Sequence, residues 1–234
     1  MEPMNPSLLI LTDGRFPAGG HAHSGGVEAA VKAGRVRSAA DLGEFCTGRL
    51  HTSGLTFAAL AAATAAGLAP LDLDAAADAR TPSPALRAVS RRLGRQLLRA
   101  ARAIWPEPAL DRLAADRPRG AHQPVVLGLT ATAAGLGAAT AASAAAYESV
   151  SGPVSACVRL LGLDPFQATA VLARLAPDLT SVTAAAVQAA TAAADLSTGD
   201  GDGDPMDLLP AASAPLLDLY AEQHAAWPVR LFAS

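Results

Sequence analysis

The stretch AHQPVVLGLTATAAGLGAATAASAAAY, residues Ala121–Tyr147, decides how the rest of the chain is interpreted, because it contains no Asp, Glu, Lys or Arg. It is long enough to span a bilayer. Its residues, however, are mainly Ala, Gly and Thr, with few of the Leu, Ile and Phe side chains that drive membrane insertion. The segment AAGLGAAT in its middle is typical of a turn between two helices. We therefore expect a buried helical hairpin, with a membrane-embedded hairpin as the alternative.

The flanking sequence predicts helices on both sides of this hairpin. Alanine, the strongest intrinsic helix former, is abundant throughout, and no segment alternates like a β-strand. Ser83-Pro84 and Asp164-Pro165 each place a capping residue before a proline at the first helical position, and Ser213 with Pro215 begins a last helix. The fold class predicted for residues 1–234 is all-α, a single-domain helical bundle.

Composition and charge exclude several classes of protein. The chain has 234 residues, 51% of them hydrophobic, which is enough to bury a sizeable core. A net charge of −3 and an aromatic content of 4% argue against nucleic acid and acidic membranes as partners. Cys46 and Cys157 lie in apolar segments and are expected to be buried free thiols. The apolar run Leu8–Leu11 is too short for a signal peptide, so we expect a cytoplasmic protein.

Two segments rich in Asp, Gly and Pro are expected to be loops, residues Ala69–Pro84 and Ser197–Asp207. The second begins like a calcium-binding loop. It has Pro205 where the turn glycine belongs and Ala211 where the bidentate glutamate belongs, so we expect a solvated acidic loop without calcium.

The segment RFPAGGHAHSGGVEAAV, residues Arg15–Val31, concentrates glycine, proline and histidine ahead of a short predicted helix. No Lys-Ser/Thr pair follows the glycines and no strand precedes them, which excludes the common phosphate and dinucleotide loops. We expect Ser24 or Gly25 to cap a helix that starts near Val27, with Glu28 facing the positive end of the helix dipole. The glycines of this segment are interpreted as allowing positive φ angles and close backbone contact where the loop meets the core.

His21 and His23 in this loop suggest a metal site as an alternative, because imidazole binds nickel, zinc and copper. Two ligands alone bind weakly, and no third ligand lies nearby in the sequence. The favoured interpretation is two polar loop residues, with no metal and no cofactor bound.

The sequence offers no arrangement typical of catalysis. His51, His122 and His224 are scattered, and no nucleophile stands at a recognisable spacing from a base. His122 and His224 are expected to be hydrogen-bonded structural residues, so the chain is not expected to be an enzyme. A row of arginines on one predicted helix face is expected to be solvated, with docking to an acidic protein as the alternative: Arg87, Arg91, Arg95, Arg99 and Arg102.

Taken in order, these motifs resemble the urease accessory protein F (UreF) family over nearly the whole chain. The resemblance begins with a leucine-rich start, a Pro-x-Gly-Gly segment and Ser-x-Gly-Val-Glu entering a helix. It continues through SRRLGRQLLRAA, HQPVVLGLTATAAGLG and YESVSGPVSACVRLLGLDPFQA to the terminal PLLDLYAEQHAAWPVRLFAS. The chain departs from the family where His21 and His23 replace aromatic residues and where Ala225 follows His224 in place of Glu.

The resemblance implies an all-helical, usually homodimeric cytoplasmic protein without catalytic activity. Such proteins join a UreD-type (also called UreH-type) accessory protein and a UreG-type GTPase on apo-urease. That complex delivers nickel and helps to carbamylate the lysine that bridges the metal ions. UreF-like proteins recruit or regulate the GTPase.

We expect partners to contact the two ends of the chain. In the opening loop the candidate residues are Pro17, Gly19, Gly20, Ser24 and Glu28. In the C-terminal tail, residues 229–234, they are Arg230, Leu231, Phe232 and Ser234. Because Pro228 ends the preceding helix, the tail is expected to become ordered only on binding, with a tail packed on its own domain as the alternative.

Overall fold

A computed structural model describes residues 5–199 and 202–233. The described part of the chain is all-α, as predicted, and contains no strand. Its α-helices are Ser7–Leu11 (α1), Val27–Lys32 (α2), Ala39–Arg49 (α3), Leu55–Ala65 (α4), Pro70–Ala79 (α5), Pro84–Ile104 (α6), Pro108–Asp116 (α7), Gln123–Ala133 (α8), Ala138–Leu161 (α9), Pro165–Arg174 (α10), Ala176–Thr198 (α11) and Pro215–Ala225 (α12). Two short 3₁₀ turns, Gly20–Ala22 and Pro205–Leu208, and a π-helical turn, Leu50–Gly54, complete the regular structure of the described residues.

The predicted hairpin is formed by α8 and α9, which are joined by a four-residue turn after Ala133 and pack on the central helix α4. Ala58 to Ala63 in α4 and Val125 to Leu127 in α8 are almost completely buried. Within residues 5–199 and 202–233, no single helix is long and apolar enough to cross a membrane. The consecutive helices α10 and α11 meet that test only together, and they are bent by 45°.

Helices α3 and α4 are two parts of one continuous helix, joined through a π-helical turn at Leu50–Gly54. The turn packs against α9, where the Arg49 Nε donates a hydrogen bond to the Ser149 carbonyl oxygen over 2.8 Å. A π turn widens a helix locally by one residue, and such turns are frequent at functional sites.

The expectation that Ala69–Pro84 forms a loop is wrong, because most of this segment is helix α5. Pro70 occupies its first turn, where a proline is tolerated. Leu73, Ala76 and Ala77 are buried, so tertiary packing outweighs the loop-like composition. The other predicted loop, Ser197–Asp207, is helical at its start and carries the second 3₁₀ turn at its end; residues 200 and 201 lie outside the described part of the chain.

The predicted caps are largely confirmed. The Ser83 hydroxyl accepts a hydrogen bond from Leu86 N, and the Asp164 carboxylate accepts one from Phe166 N. Helix α12 starts at Pro215, but Ala214 and not Ser213 precedes it. Cys46 and Cys157 are free and buried, as expected.

The contact between α4 and α8 depends on Gly128. A Cβ at this position would lie 2.3 Å from the Ala61 carbonyl oxygen and 2.6 Å from the Thr64 Cβ. Gly128→Ala is therefore expected to lower the free energy of unfolding by about 1–3 kcal/mol, because the two helices must move apart. The measurement is urea unfolding followed by circular dichroism.

Gly48→Ala is the matched control, since Gly48 is exposed in α3 and a Cβ there meets nothing within 4 Å. It should leave stability unchanged or raise it by up to about 1 kcal/mol, through helix propensity alone. Equal stabilities of the two variants would contradict the role assigned to Gly128.

Candidate protein-contact site

The carboxylate of Glu28 joins the N-terminal loop to the C-terminal tail. Its Oε2 lies 2.8 Å from the His224 Nε2 and accepts a hydrogen bond from Phe232 N over 3.1 Å. Its Oε1 accepts a second backbone hydrogen bond, from Leu231 N over 2.8 Å. Glu28 is only 8% exposed, and burial opposes its ionisation. The hydrogen bonds from His224, Leu231 and Phe232 outweigh burial and hold the pKa of the carboxyl below its usual value.

Aromatic and cationic side chains extend this cluster along α12 and α2. The Trp227 ring lies against the His224 imidazole, with ring centroids 4.8 Å apart. The Lys32 ammonium sits 3.7 Å from the centroid of the Trp227 ring, within the range of a cation–π contact. Trp227 thus links the last turn of α2 to the segment in which the tail begins.

The tail also pairs directly with the opening loop. Ala233 N donates to the Ala22 carbonyl oxygen over 2.8 Å. The Arg159 guanidinium lies 4.4 Å from the centroid of the Phe232 ring and donates a hydrogen bond to the His21 carbonyl oxygen over 3.1 Å. We call the outer side of residues 17–22 together with residues 229–233 the loop–tail surface.

The expectation that the tail becomes ordered only on binding is wrong for the described residues 229–233, which lie against their own domain. The reason is electrostatic: the Glu28 carboxylate offers charged acceptors to two successive backbone N–H groups of the tail. Phe232 fills the interior and is 4% exposed. The alternative left open by the sequence, a packed tail, describes these residues.

The candidate contact residues divide into two groups. Pro17, Gly20, Arg230 and Leu231 are exposed, whereas Gly19 is half-buried and packs against the Gln96 side chain. Ser24, Glu28 and Phe232 are buried and instead position the others. Ser234 lies outside the described residues.

The start of α2 explains why this loop requires glycine. The helix begins at Val27, as expected, but its N-cap is Gly26, in a left-handed conformation with φ of 89°, and not Ser24 or Gly25. The Ser24 hydroxyl accepts a long hydrogen bond of 3.4 Å from Glu28 N. This geometry places Glu28 in the first turn, where it faces the tail.

His21 and His23 do not act as a pair. His21 is exposed, whereas His23 is 8% exposed and faces the interior. Burial, together with the positive charges of Arg92 and His21, lowers the pKa of His23 to about 4. Within the described residues, no group of three or more His, Cys, Asp or Glu side chains is arranged to hold a metal ion. The geometry therefore does not favour the metal-binding alternative.

A second polar cluster, around Asp74, was not foreseen from the sequence. Asp74 is 1% exposed and accepts hydrogen bonds from Arg117 Nε and His122 N, each over 2.8 Å, and from Arg91 Nη1 over 3.1 Å. The predicted solvated arginine face is therefore wrong at Arg91, whose guanidinium also pairs with Asp78 at 2.8 Å. The four-residue spacing of Asp74 and Asp78 was the available signal, because it puts both carboxylates on one helix face.

His122 is hydrogen-bonded on both ring nitrogens, which confirms its predicted structural role. Its Nε2 lies 2.8 Å from Asp78 Oδ1 and its Nδ1 lies 3.0 Å from the Ser90 hydroxyl. Burial lowers the pKa of His122, so the ring is neutral and donates from Nε2 to the carboxylate. The Ser90 oxygen also accepts a hydrogen bond from Gln123 N over 3.1 Å at the start of α8. This buried Ser–His–Asp chain ties α5, α6 and α8 together.

Glu28→Gln tests the link between loop and tail. The amide has one acceptor oxygen and no charge, so we expect a loss of about 1–3 kcal/mol in the free energy of unfolding. The Leu231 and Phe232 amides should exchange with deuterium about tenfold faster or more, because the tail opens locally. The measurement is hydrogen–deuterium exchange resolved by mass spectrometry. Glu44→Gln, at an exposed position of α3, is the control and should change neither quantity.

The effect of Glu28→Gln on the free energy of unfolding should also depend on pH. Because the pKa of folded Glu28 lies below its usual value, its stabilising contribution is present at neutral pH and is lost as pH falls through the folded pKa. The stability difference between the unmodified chain and Glu28→Gln should therefore shrink under acid. A difference that stays constant down to pH values well below the usual glutamate range would contradict the assignment.

Comparison with known proteins identifies the family of the chain. The UreF family profile matches residues 36–176. The chain is 43% identical over 232 residues to the urease accessory protein UreF of Mycolicibacterium vanbaalenii, covering 97% of this chain and 98% of the relative. It is 39% identical over 218 residues to the protein of the same name from Mycobacterium tuberculosis, covering 93% and 92%. The chain therefore belongs to the UreF family.

Proposed function

We propose that this chain is a urease accessory protein, a non-catalytic scaffold in the complex that inserts nickel into apo-urease. Family membership over nearly the full length supports this role. The structural observation that carries the proposal is the Glu28 cluster. This cluster holds the opening loop and the C-terminal tail side by side, and the sequence predicts each of them separately as a contact segment.

The loop–tail surface has the composition of a protein-binding site. Val229 and Leu231 are 82% and 59% exposed, a large apolar area for side chains held in fixed positions. Arg230 between them is exposed and suits a carboxylate on a partner. Since the backbone is already held by Glu28, binding costs less conformational entropy than it would for a free tail.

The proposed partners are a UreD-type (UreH-type) accessory protein, a UreG-type GTPase and apo-urease, and the chain acts as a homodimer. In this proposal Arg230 and Leu231, with Pro17, Gly19 and Gly20, contact the accessory proteins, while Ser24, Glu28 and Phe232 hold that surface in shape. A second apolar area, Leu216 and Leu219 on α12, is 51% and 60% exposed and supports a further protein contact, which we assign to the homodimer.

Two features support a scaffold of the cytoplasm without chemistry of its own. The Ser90–His122–Asp78 chain has its histidine 1% and its serine 5% exposed, and its hydroxyl caps α8, so it serves packing. Free buried thiols, as at Cys46 and Cys157, are typical of a reducing compartment.

Co-expression tests the function. Apo-urease subunits with their other accessory proteins are produced with and without this chain, and the purified urease is assayed for nickel content and urea hydrolysis. We expect both to fall several-fold without the chain, because nickel insertion lacks its scaffold. Equal nickel content in the two preparations would contradict the proposed function.

Variants of the loop–tail surface test which residues bind. Arg230→Ala combined with Leu231→Ala should reduce recovery of the accessory proteins in a pull-down by about tenfold, because an anchor and a charge are both lost. Circular dichroism should be unchanged, since both side chains are exposed. Arg112→Ala combined with Leu208→Ala removes the same side-chain types elsewhere on the surface, and Leu208 is 45% exposed. Undiminished recovery with the first pair, or equal loss with both, would contradict the assignment.

A further inference from the structure

A cavity of about 220 Å³ lies behind the loop–tail surface, beneath the opening loop. Gly25 and Gly26 form one wall, Arg49 and Phe57 another, and residues of α6 and α12 complete it. Nothing in the Glu28 cluster requires this space. It is therefore a feature beyond the proposed scaffold role.

The lining of this cavity contains more basic than acidic side chains, although the Arg80 guanidinium already donates to backbone carbonyl oxygens, among them those of Leu209 and Pro210. Four arginines line it, Arg49, Arg80, Arg92 and Arg230, whereas Asp218 is the only carboxylate among the described lining residues. Asp218 already accepts a hydrogen bond from Ser83 N over 3.3 Å. The cavity thus carries an excess of positive charge even though the chain as a whole has a net charge of −3.

Arg49 is the central cation. It is half-buried, and its Nε donates to the Ser149 carbonyl oxygen, yet it forms no ion pair within the described residues. Burial lowers the pKa of its guanidinium. A half-buried charge without a counter-ion carries a desolvation cost, and an anion bound in the cavity would offset that cost.

An acidic residue of the adjoining cavity forms no ion pair with Arg49. Glu148 lines the adjoining cavity with Arg49 and accepts a hydrogen bond from Gln123 Nε2 over 3.0 Å. Burial raises the pKa of Glu148 to about 7, so at neutral pH it carries only part of a negative charge.

The opening loop approaches Arg49 closely at Gly25. Gly25, with φ of 62°, lies directly over the guanidinium: a Cβ there would be 3.6 Å from the Arg49 Cζ. Gly25 and Gly26 are both left-handed, and their N–H groups donate to no acceptor within the described part of the chain. Both glycines line the cavity, so two backbone N–H groups without an acceptor among the described residues lie at its wall.

We propose that this cavity binds a small oxyanion of the carboxylate or phosphate class, held by the free Nη groups of Arg49 with Arg92 at the rim. The planar guanidinium fork matches both kinds of oxyanion. The cavity volume corresponds to about seven water molecules at about 30 Å³ each, so phosphate and acetate both fit.

Isothermal titration calorimetry of the full chain tests this, with inorganic phosphate and acetate titrated separately at constant ionic strength. We expect one saturable site per chain for at least one anion, and the tighter of the two identifies the ligand class. Arg49→Gln should weaken that binding about tenfold or more, because a charge-assisted contact is lost. Absence of saturable binding for both anions would overturn the proposal.

Arg99→Gln is the matched control, an exposed arginine of α6 outside the cavity lining, and it should leave the affinity unchanged. Circular dichroism establishes whether Arg49→Gln folds. If it does not, Arg92→Gln decides, since Arg92 is exposed: weaker binding supports the site and unchanged binding refutes it. Equal affinity of folded Arg49→Gln and the unmodified chain would also refute it.

Discussion

The hydrogen bonds accepted by the buried carboxylate of Glu28 hold together parts of the chain about 200 residues apart. A carboxylate removed from water needs several donors, and here one imidazole and two backbone N–H groups supply them. The position of the loop, the direction of the tail and the placement of α12 against α2 all follow from this requirement. The loop–tail surface exists as a single surface because one carboxylate serves both of its halves.

The interior around this cluster is made chiefly of small side chains. Alanines fill most of α4 and the start of α9, and Gly128 lets α8 approach the α4 backbone closely. Such a core has few large side chains that specify one register between helices. The buried ion pairs and hydrogen bonds around Asp74 and His122 supply that specificity between α5, α6 and α8.

The local signals in the sequence predicted what is local in the structure. Alanine content, the cap at Ser83 and the turn within Ala121–Tyr147 identified helices and their ends, because each acts through neighbouring residues. Helix α5 was missed because its Asp-rich composition is typical of loops, while the contacts that hold it are tertiary: Leu73 is buried, and Asp74 pairs with Arg91 and Arg117, 17 and 43 residues away. The packing of the tail was expected only as the alternative, because Glu28 was interpreted through its own helix dipole and as a contact for a partner. The backbone N–H groups of Leu231 and Phe232 that it accepts from lie about 200 residues away in the sequence. The resemblance in sequence identified the family but not these contacts.

The π turn at Leu50–Gly54 has a consequence for length variation in this part of the chain. The π turn contains one residue more than an α-helical turn, so it acts as a one-residue insertion. Such an insertion rotates α3 by about 100° about the helix axis relative to α4. Deleting a single residue there would restore a regular α-helix and swing Arg49 away from the Ser149 carbonyl, toward a different side of the helix. Loss of one amino acid between α3 and α4 would thus rotate α3 relative to α4 about the axis of the continuous helix that they form.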